Sequence, residues 1–166
     1  MDINKFSKTY IVKKIESDNI DELLELCKNN ETYYKYCPPD PTPYSIRSDL
    51  RALPPGKEKK DKYYVGFYKN DELIAVSDII QDYPNEQTVF IGFFMLKKEY
   101  QHQGIASKIV DELVECFQEY QFSYIRLAYV VGNKESEAFW LRNKFVSMNL
   151  EIDMKEYKVS VLQRVI

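Results

Sequence analysis

The sequence predicts a mixed α/β domain with element order β-α-α-β-β-β-α-β-α-β-β. Three observations predict it. The middle of the chain reads as three successive strands separated by turn residues. The apolar run from Val89 to Leu96 leads through a short loop with one glycine into a strongly periodic helix. The C-terminal segments Val146–Ile152 and Val159–Ile166 read as a closing strand pair.

Each element follows from its own pattern. Thr9 to Ile15 alternates loosely and forms the first strand. Ser17, Asp18 and Asn19 are capping residues before Ile20, Leu23, Leu24 and Cys27, which share one helical face. Asn29-Asn30 ends that helix. Four prolines between Cys37 and Pro43 forbid a regular helix or a central strand there. A short helix runs from about Ser45 to Leu53, stopped by Pro54-Pro55-Gly56. Strands follow at Tyr63–Tyr68, Glu72–Ile80 and Thr88–Leu96, with turns at Asn70-Asp71 and Tyr83-Pro84-Asn85. The next helix begins at Ile105 and reaches about Phe117. It places Ile105, Ile109, Leu113 and Phe117 on one face, and Lys108, Asp111, Glu112 and Glu115 on the solvent face. A strand at Tyr124–Val131, a helix at Lys134–Asn143 and strands at Val146–Ile152 and Val159–Ile166 complete the chain. No repeat, low-complexity segment or linker divides it, so residues 1–166 read as one domain.

Composition narrows the class. At 166 residues, 45% hydrophobic and 30% charged, the chain is long enough to bury roughly 70% of its unfolded surface in one core. No apolar stretch approaches the roughly 20 residues of a membrane span, and Met1–Lys5 lacks the apolar centre of a signal peptide. A cytoplasmic protein without a membrane partner is the expectation. A net charge of -3 argues against a nucleic-acid binder and permits cationic substrates. The mixed-sign block Lys57–Lys62 reads as a solvated loop. Cys27, Cys37 and Cys116 are odd in number and lack CxxC spacing, so they read as buried or incidental thiols, with no metal site.

The most informative stretch is Gln101-His102-Gln103-Gly104-Ile105-Ala106. It joins a buried strand to a helix N-terminus, whose first-turn N–H groups have no intrahelical partner and carry partial positive charge. Gly104 lacks a Cβ, which lets a ligand phosphate approach the main chain. Neither GxGxxG nor GxxxxGK[ST] occurs, so dinucleotide-fold and P-loop readings fail.

Gln101-x-x-Gly104-x-Ala106 after a hydrophobic strand resembles the Gln/Arg-x-x-Gly-x-Gly/Ala signature of the GNAT family of N-acetyltransferases. Further on, Asn133, Ser136, Trp140 and Lys144-Phe145 are similar to that family's Asn-x-x-Ala-x-x-x-Tyr-x-x-x-Gly-Phe motif. Ser136, Trp140 and Lys144 depart from it. Residues 88–145 carry the specific resemblance, and residues 1–60 carry almost none.

The resemblance implies a mostly antiparallel central sheet of six to seven strands flanked by about four helices. It implies acetyl-coenzyme A as cofactor. The backbone of Gln101, His102, Gln103, Gly104, Ile105, Ala106 and Ser107 would then hold the pyrophosphate. The splayed strand edge Phe94-Met95-Leu96, with Asn133 and Ser136, would hold the pantetheine arm. It further implies a small-molecule or peptide amine as acceptor, and a homodimer as one arrangement.

Acetyl transfer to an amine needs the neutral amine. A lysine-like amine has a pKa of about 10.4, so a base or water chain must take its proton. His102, the only histidine, lies in the phosphate loop. Asp78 is the better candidate, since period-2 geometry sets it beside Ile74, Val76 and Ile80, where apolar neighbours raise a carboxyl pKa. The plainer reading of Asp78 is a solvated strand end. Trp140 stands at the position where relatives carry a tyrosine acid, and its indole N–H cannot serve as one. Tyr33, Tyr34, Tyr36 and Tyr44 flank the proline-rich loop and offer aromatic faces for an acceptor, or else cover the sheet. Arg47 and Arg51, one helical turn apart, read as a carboxylate-binding pair or as a solvated face. Two functions remain open at this point: an acetyl-coenzyme A-dependent N-acetyltransferase acting in a ternary complex, and a non-catalytic acyl-coenzyme A-binding or regulatory module.

Overall fold

A computed structural model describes all residues, 1–166. Its strands are β1 (Ile11–Lys14), β2 (Lys62–Lys69), β3 (Glu72–Ile80), β4 (Thr88–Leu96), β5 (Tyr124–Val130), β6 (Val146–Asp153) and β7 (Lys158–Val165). They form one seven-stranded sheet in the order β1-β2-β3-β4-β5-β7-β6. Only β4 and β5 run parallel. The helices are α1 (Ile20–Lys28), α2 (Glu31–Tyr36), α3 (Pro43–Arg51), α4 (Ile105–Glu119) and α5 (Lys134–Arg142). The predicted mixed, mostly antiparallel sheet is present.

The turn residues act as expected. Asn70 and Asp71 both take positive φ, the geometry of a tight hairpin turn between β2 and β3. The proline-rich segment separates two helices, and Pro43 sits in the first turn of α3. Thr42 and Ser45 cap α3 reciprocally, the Thr42 hydroxyl accepting from Ser45 N–H at 3.1 Å. The start expected at Ser45 therefore moves back to Pro43.

One helix was not expected. α2 is six residues long, too short to show helical periodicity, and Asn29-Asn30 before it reads as a stop. Tyr33 and Tyr34 pack against the core on one side of the sheet and hold the helix in place.

Two cores form, one on each side of the sheet. On one side α4 and α5 cover it, with Ile109, Leu113 and Phe117 fully buried beside Phe67, Ile79 and Ile125. Each such side chain contributes about 1.5–3 kcal/mol of burial. On the other side α1 and α3 set Leu23, Leu26 and Ile46 against Tyr64, Val76 and Met95.

Three expectations about side chains are corrected. Glu112 is not on the solvent face of α4: it is buried, accepting hydrogen bonds from the Ser7 and Thr9 hydroxyls and from Lys8 N–H. The N-terminal segment folds across the helix there, which helical periodicity alone cannot show. The Lys57–Lys62 block is solvated only at Glu58, Lys59 and Lys60, because Lys57 pairs with buried Asp61 at 3.5 Å and Lys62 turns inward. Ile74 does not share the face of Asp78 and Val76. It is the extra residue where the β2–β3 register shifts, and it joins the opposite core.

The sheet itself makes the site. β4 and β5 pair only from Thr88↔Tyr124 to Ile91↔Leu127. Beyond that point β4 stays paired to β3 and β5 to β7, so the two strands part. A bulge at Gly92 starts the divergence, for Asp78 faces Phe93 and Ile79 faces Ile91, leaving Gly92 unmatched.

Candidate functional site

The notch between β4 and β5 opens toward the loop before α4. His102 and Gly104 both take left-handed backbone, φ +60° and +78°. The backbone N–H groups of residues 102–107 have no acceptor in the protein, and no side chain caps α4. Six successive free donors at a helix N-terminus form an anion nest. No atom lies within 4 Å of where a Gly104 Cβ would stand, so the nest is open from outside. This donor set fits a diphosphate. His102, Gln103 and Gly104 are exposed, and Ile105, Ala106 and Ser107 half-buried.

The side chain of Gln101 turns away from that nest. Its amide donates to Asn30 Oδ1 at 2.8 Å and to the Leu96 carbonyl at 3.0 Å, tying the loop to the end of α1. Asn30 in turn donates to Leu26 O at 2.9 Å. The structure thus assigns Gln101 a loop-shaping role through its side chain.

Along β4, Lys97 N–H bonds Ile74 O of β3. Backbone alternation in an antiparallel ladder therefore turns the polar groups of Phe94 and Leu96 toward the notch, and those of Met95 toward β3. The Phe94 ring stacks on Phe139 and meets Trp140 edge-on, at 6.0 and 5.8 Å between centroids. Trp140 is buried among Phe94, Phe139 and Phe145. It forms the aromatic back wall of the notch.

Across the notch, Asn133 caps α5, its Oδ1 accepting from Ser136 N–H at 3.1 Å. Its Nδ2 has no protein partner. At the end of α5, Lys144 adopts φ +66° while Phe145 N–H bonds Trp140 O and Lys144 N–H bonds Leu141 O. This is a Schellman ending, whose left-handed position favours glycine.

Asp78 lies beside the bulge. A Gly92 Cβ would stand 3.3 Å from its Oδ2, so the glycine makes room for the carboxylate. Oδ2 accepts from Lys62 Nζ at 2.7 Å, with both side chains largely shielded. Oδ1 is the one buried side-chain polar atom without a hydrogen-bond partner. Burial pushes the Asp78 pKa up, and Lys62 pulls it partly back.

The tyrosines divide. Tyr33 meets Tyr34 and Phe93 edge-on at 5.0 and 5.5 Å, and Tyr64 stacks on Phe93. Burial holds the hydroxyls of Tyr33 and Tyr64 well above the usual tyrosine range. Tyr36 stands outside this cluster under Lys35, and Tyr44 is 83% exposed on the outside of α3.

Sequence reasoning missed Lys62, Tyr64, Phe93 and Tyr157. Lys62 was masked by the mixed-sign block around it. Tyr64 faces Asp78 across β2–β3 and carried an alternation signal, but no partner was visible. Tyr157, in the β6–β7 turn, lies beside the Cys37 thiol at the end of α2, and that neighbour with burial raises its pKa to about 12. Nothing in the sequence joins residues so far apart.

Comparison with known proteins agrees with this geometry. No curated protein sequence matches the chain. Among solved structures it is similar to an acetyltransferase from Thermus thermophilus, with TM-score 0.77 and 12% identity over 95% of this chain and 97% of that one. It is similar to an acetyltransferase from Salmonella typhimurium that modifies the N-terminal serine of a 50S ribosomal subunit protein. There the TM-score is 0.76 and the identity 17%, over 97% of each chain. PaiA N-acetyltransferase from Thermoplasma acidophilum, in complex with coenzyme A, aligns with TM-score 0.68 and 16% identity over 95% of this chain and 99% of that one. These likenesses establish the fold. The sequence model of the acetyltransferase (GNAT) family matches residues 21–145, three quarters of the chain. With that match, and the parted strands and free loop donors that accompany it, the chain belongs to the acetyltransferase (GNAT) family.

Proposed function

We propose that this protein transfers an acetyl group from acetyl-coenzyme A to the primary amine of an acceptor, by direct attack in a ternary complex at the β4–β5 notch. The observation that carries the reading is the row of six acceptor-free N–H groups, residues 102–107, at the open end of an unpaired β4 edge.

Bound there, acetyl-coenzyme A supplies an activated acetyl thioester. The loop N–H groups bind its diphosphate, and the notch-facing backbone of Phe94 and Leu96, with Asn133 Nδ2, binds amide groups of its arm. The aromatic wall of Phe94, Phe139 and Trp140 excludes water from the back of the notch. On the other side of the sheet, Tyr33, Tyr64 and Phe93 receive the acceptor as an ammonium. Asp78 Oδ1 takes its proton, and Lys62 holds the carboxylate ionised and oriented through Oδ2. No side chain is needed as a strong acid, since a thiol with pKa near 8.5 is a tolerable leaving group. The Salmonella relative modifies a peptide N-terminus, which supports peptide amines beside small amines as the acceptor class.

Release of the coenzyme A thiol, followed across a panel of amines, tests the proposal. Thiol release should depend on added amine. Asp78→Asn should lower kcat by about 100-fold or more while leaving acetyl-coenzyme A affinity unchanged. Trp140 in the place of a proton-donating tyrosine favours the second reading, a non-catalytic acyl-coenzyme A-binding module. Saturable cofactor binding with no amine-dependent release would establish that reading instead.

A further inference from the structure

A cleft of about 390 Å³ opens on the α1–α3 side of the sheet, between the end of β1, the start of α1, α3 and the start of β2. Its walls carry Lys14, Arg47, Arg51, Lys59 and Lys62 against a single carboxylate, Glu16. Lys14 is paired with Glu16 at 3.4 Å, and Lys62 with Asp78 at 2.7 Å. Arg47, Arg51 and Lys59 have no carboxylate partner. Arg47 has only a long bond to the Pro43 carbonyl, at 3.3 Å. Asp49, the one acid of α3, is exposed and does not line the cleft.

The concentration of cations is local. The chain as a whole carries a net charge of -3, so nothing about its overall balance requires a positive cleft. The spacing of Arg47 and Arg51 sets two planar guanidinium groups side by side on one wall, with Lys59 also lining the cleft. Guanidinium forks match carboxylates in geometry, and unpaired ones gain most from meeting them. Lys62 and Tyr64, the residues that hold and face Asp78, also line the cleft. A second concavity, lined by Tyr44 and Ser48, shares the same two arginines. The cleft thus borders the side chains around the proposed base and carries unpaired positive charge on Arg47, Arg51 and Lys59.

We infer that this cleft is the acceptor subsite and that it selects amines followed by carboxylates, as on the N-terminus of an acidic peptide or on an acidic amino compound. The inference rests on the acetyltransferase reading of the notch. It reverses the expectation from net charge, which admitted cationic substrates. Long-range attraction brings the acceptor in, and the arginine pair fixes its direction so that the amine points to Asp78.

The test uses three peptides of equal length with the same N-terminal residue, followed by acidic, neutral amide or basic residues, together with free aspartate and glutamate. The acidic peptide should show a KM at least tenfold below the neutral one, with the gap narrowing as salt rises. In Arg47→Glu/Arg51→Glu the KM for the acidic peptide should rise at least tenfold and that for the basic peptide should fall. Lys60→Glu, an exposed cation outside the cleft, should leave the ranking intact. Free aspartate or glutamate matching the peptide would assign the carboxylates to a small acidic amine. Equal KM for the three peptides, or the same loss in Lys60→Glu, would overturn the inference and leave the acetyltransferase reading standing. Where no amine is turned over, equilibrium binding of the labelled acidic peptide decides: binding that is lost in the double variant supports the cleft, and no binding overturns it.

Discussion

At the scale of single residues, the chemistry converges on a carboxylate that is half satisfied. Asp78 gives one oxygen to Lys62 and keeps the other buried and unpartnered. An unpaired buried acceptor is unfavourable by about 1–3 kcal/mol, and the proposed reaction gives this one, beside the Gly92 bulge, a donor in the acceptor ammonium. Lys144 shows the opposite case, a strained position with no chemical role. Its φ of +66° is one where a Cβ is unfavourable, so Lys144→Gly should stabilise the protein by about 1 kcal/mol. A denaturant midpoint raised without a change in slope would confirm it; an unchanged or lowered midpoint would not. The thiols give a pH-dependent readout. Burial raises the pKa of both Cys27 and Cys116 to about 11, so at pH 8 about one in a thousand of each is thiolate. A thiol reagent should modify half-buried Cys37 alone at that pH, and the other two only on unfolding. Fast labelling of all three in the folded protein would contradict the packing described.

At the scale of elements, α4 serves two purposes, its tip open to a ligand and its body locked into the core. Glu112 fastens the N-terminal segment to that body through Ser7, Lys8 and Thr9. Glu112→Ala leaves those donors without their acceptor and should destabilise the fold by about 2 kcal/mol, measured by thermal or denaturant unfolding. A negligible change would mean that water replaces the carboxylate. The strand, loop and helix from Val89 to Phe117 could be read from sequence because their signals are local: an apolar run, one glycine, and a 3.6-residue period. α2 could not, since six residues do not complete two helical turns. Neither the burial of Glu112 nor the inward turn of Lys62 was readable. Both depend on segments that meet only after folding, Ser7–Thr9 with α4 and β2 with β3.

At the scale of the whole molecule, the proposed site lies where the sheet fails to close. The antiparallel pairings absorb their bulges and run on, while the parallel β4–β5 pairing alone stops midway and leaves both strands to diverge. The cofactor face is built from consecutive sequence and so resembled its family from the residues alone. The proposed acceptor face draws on α2, α3, β2, β3, β4 and the β6–β7 turn. Asp78 and two of the four tyrosines expected for it, Tyr33 and Tyr34, pack with or beside Lys62, Tyr64 and Phe93, which emerge only from the fold. The central claim is that the loop before α4 binds a diphosphate through its backbone. Calorimetric titration of acetyl-coenzyme A into the parent and into Gly104→Glu, with circular dichroism confirming that both are folded, tests this most directly. Saturable one-to-one binding is expected of the parent and none of the variant, whose carboxylate and Cβ enter an open nest of N–H donors. Absence of binding by the parent, or equal binding by both proteins, would contradict the claim.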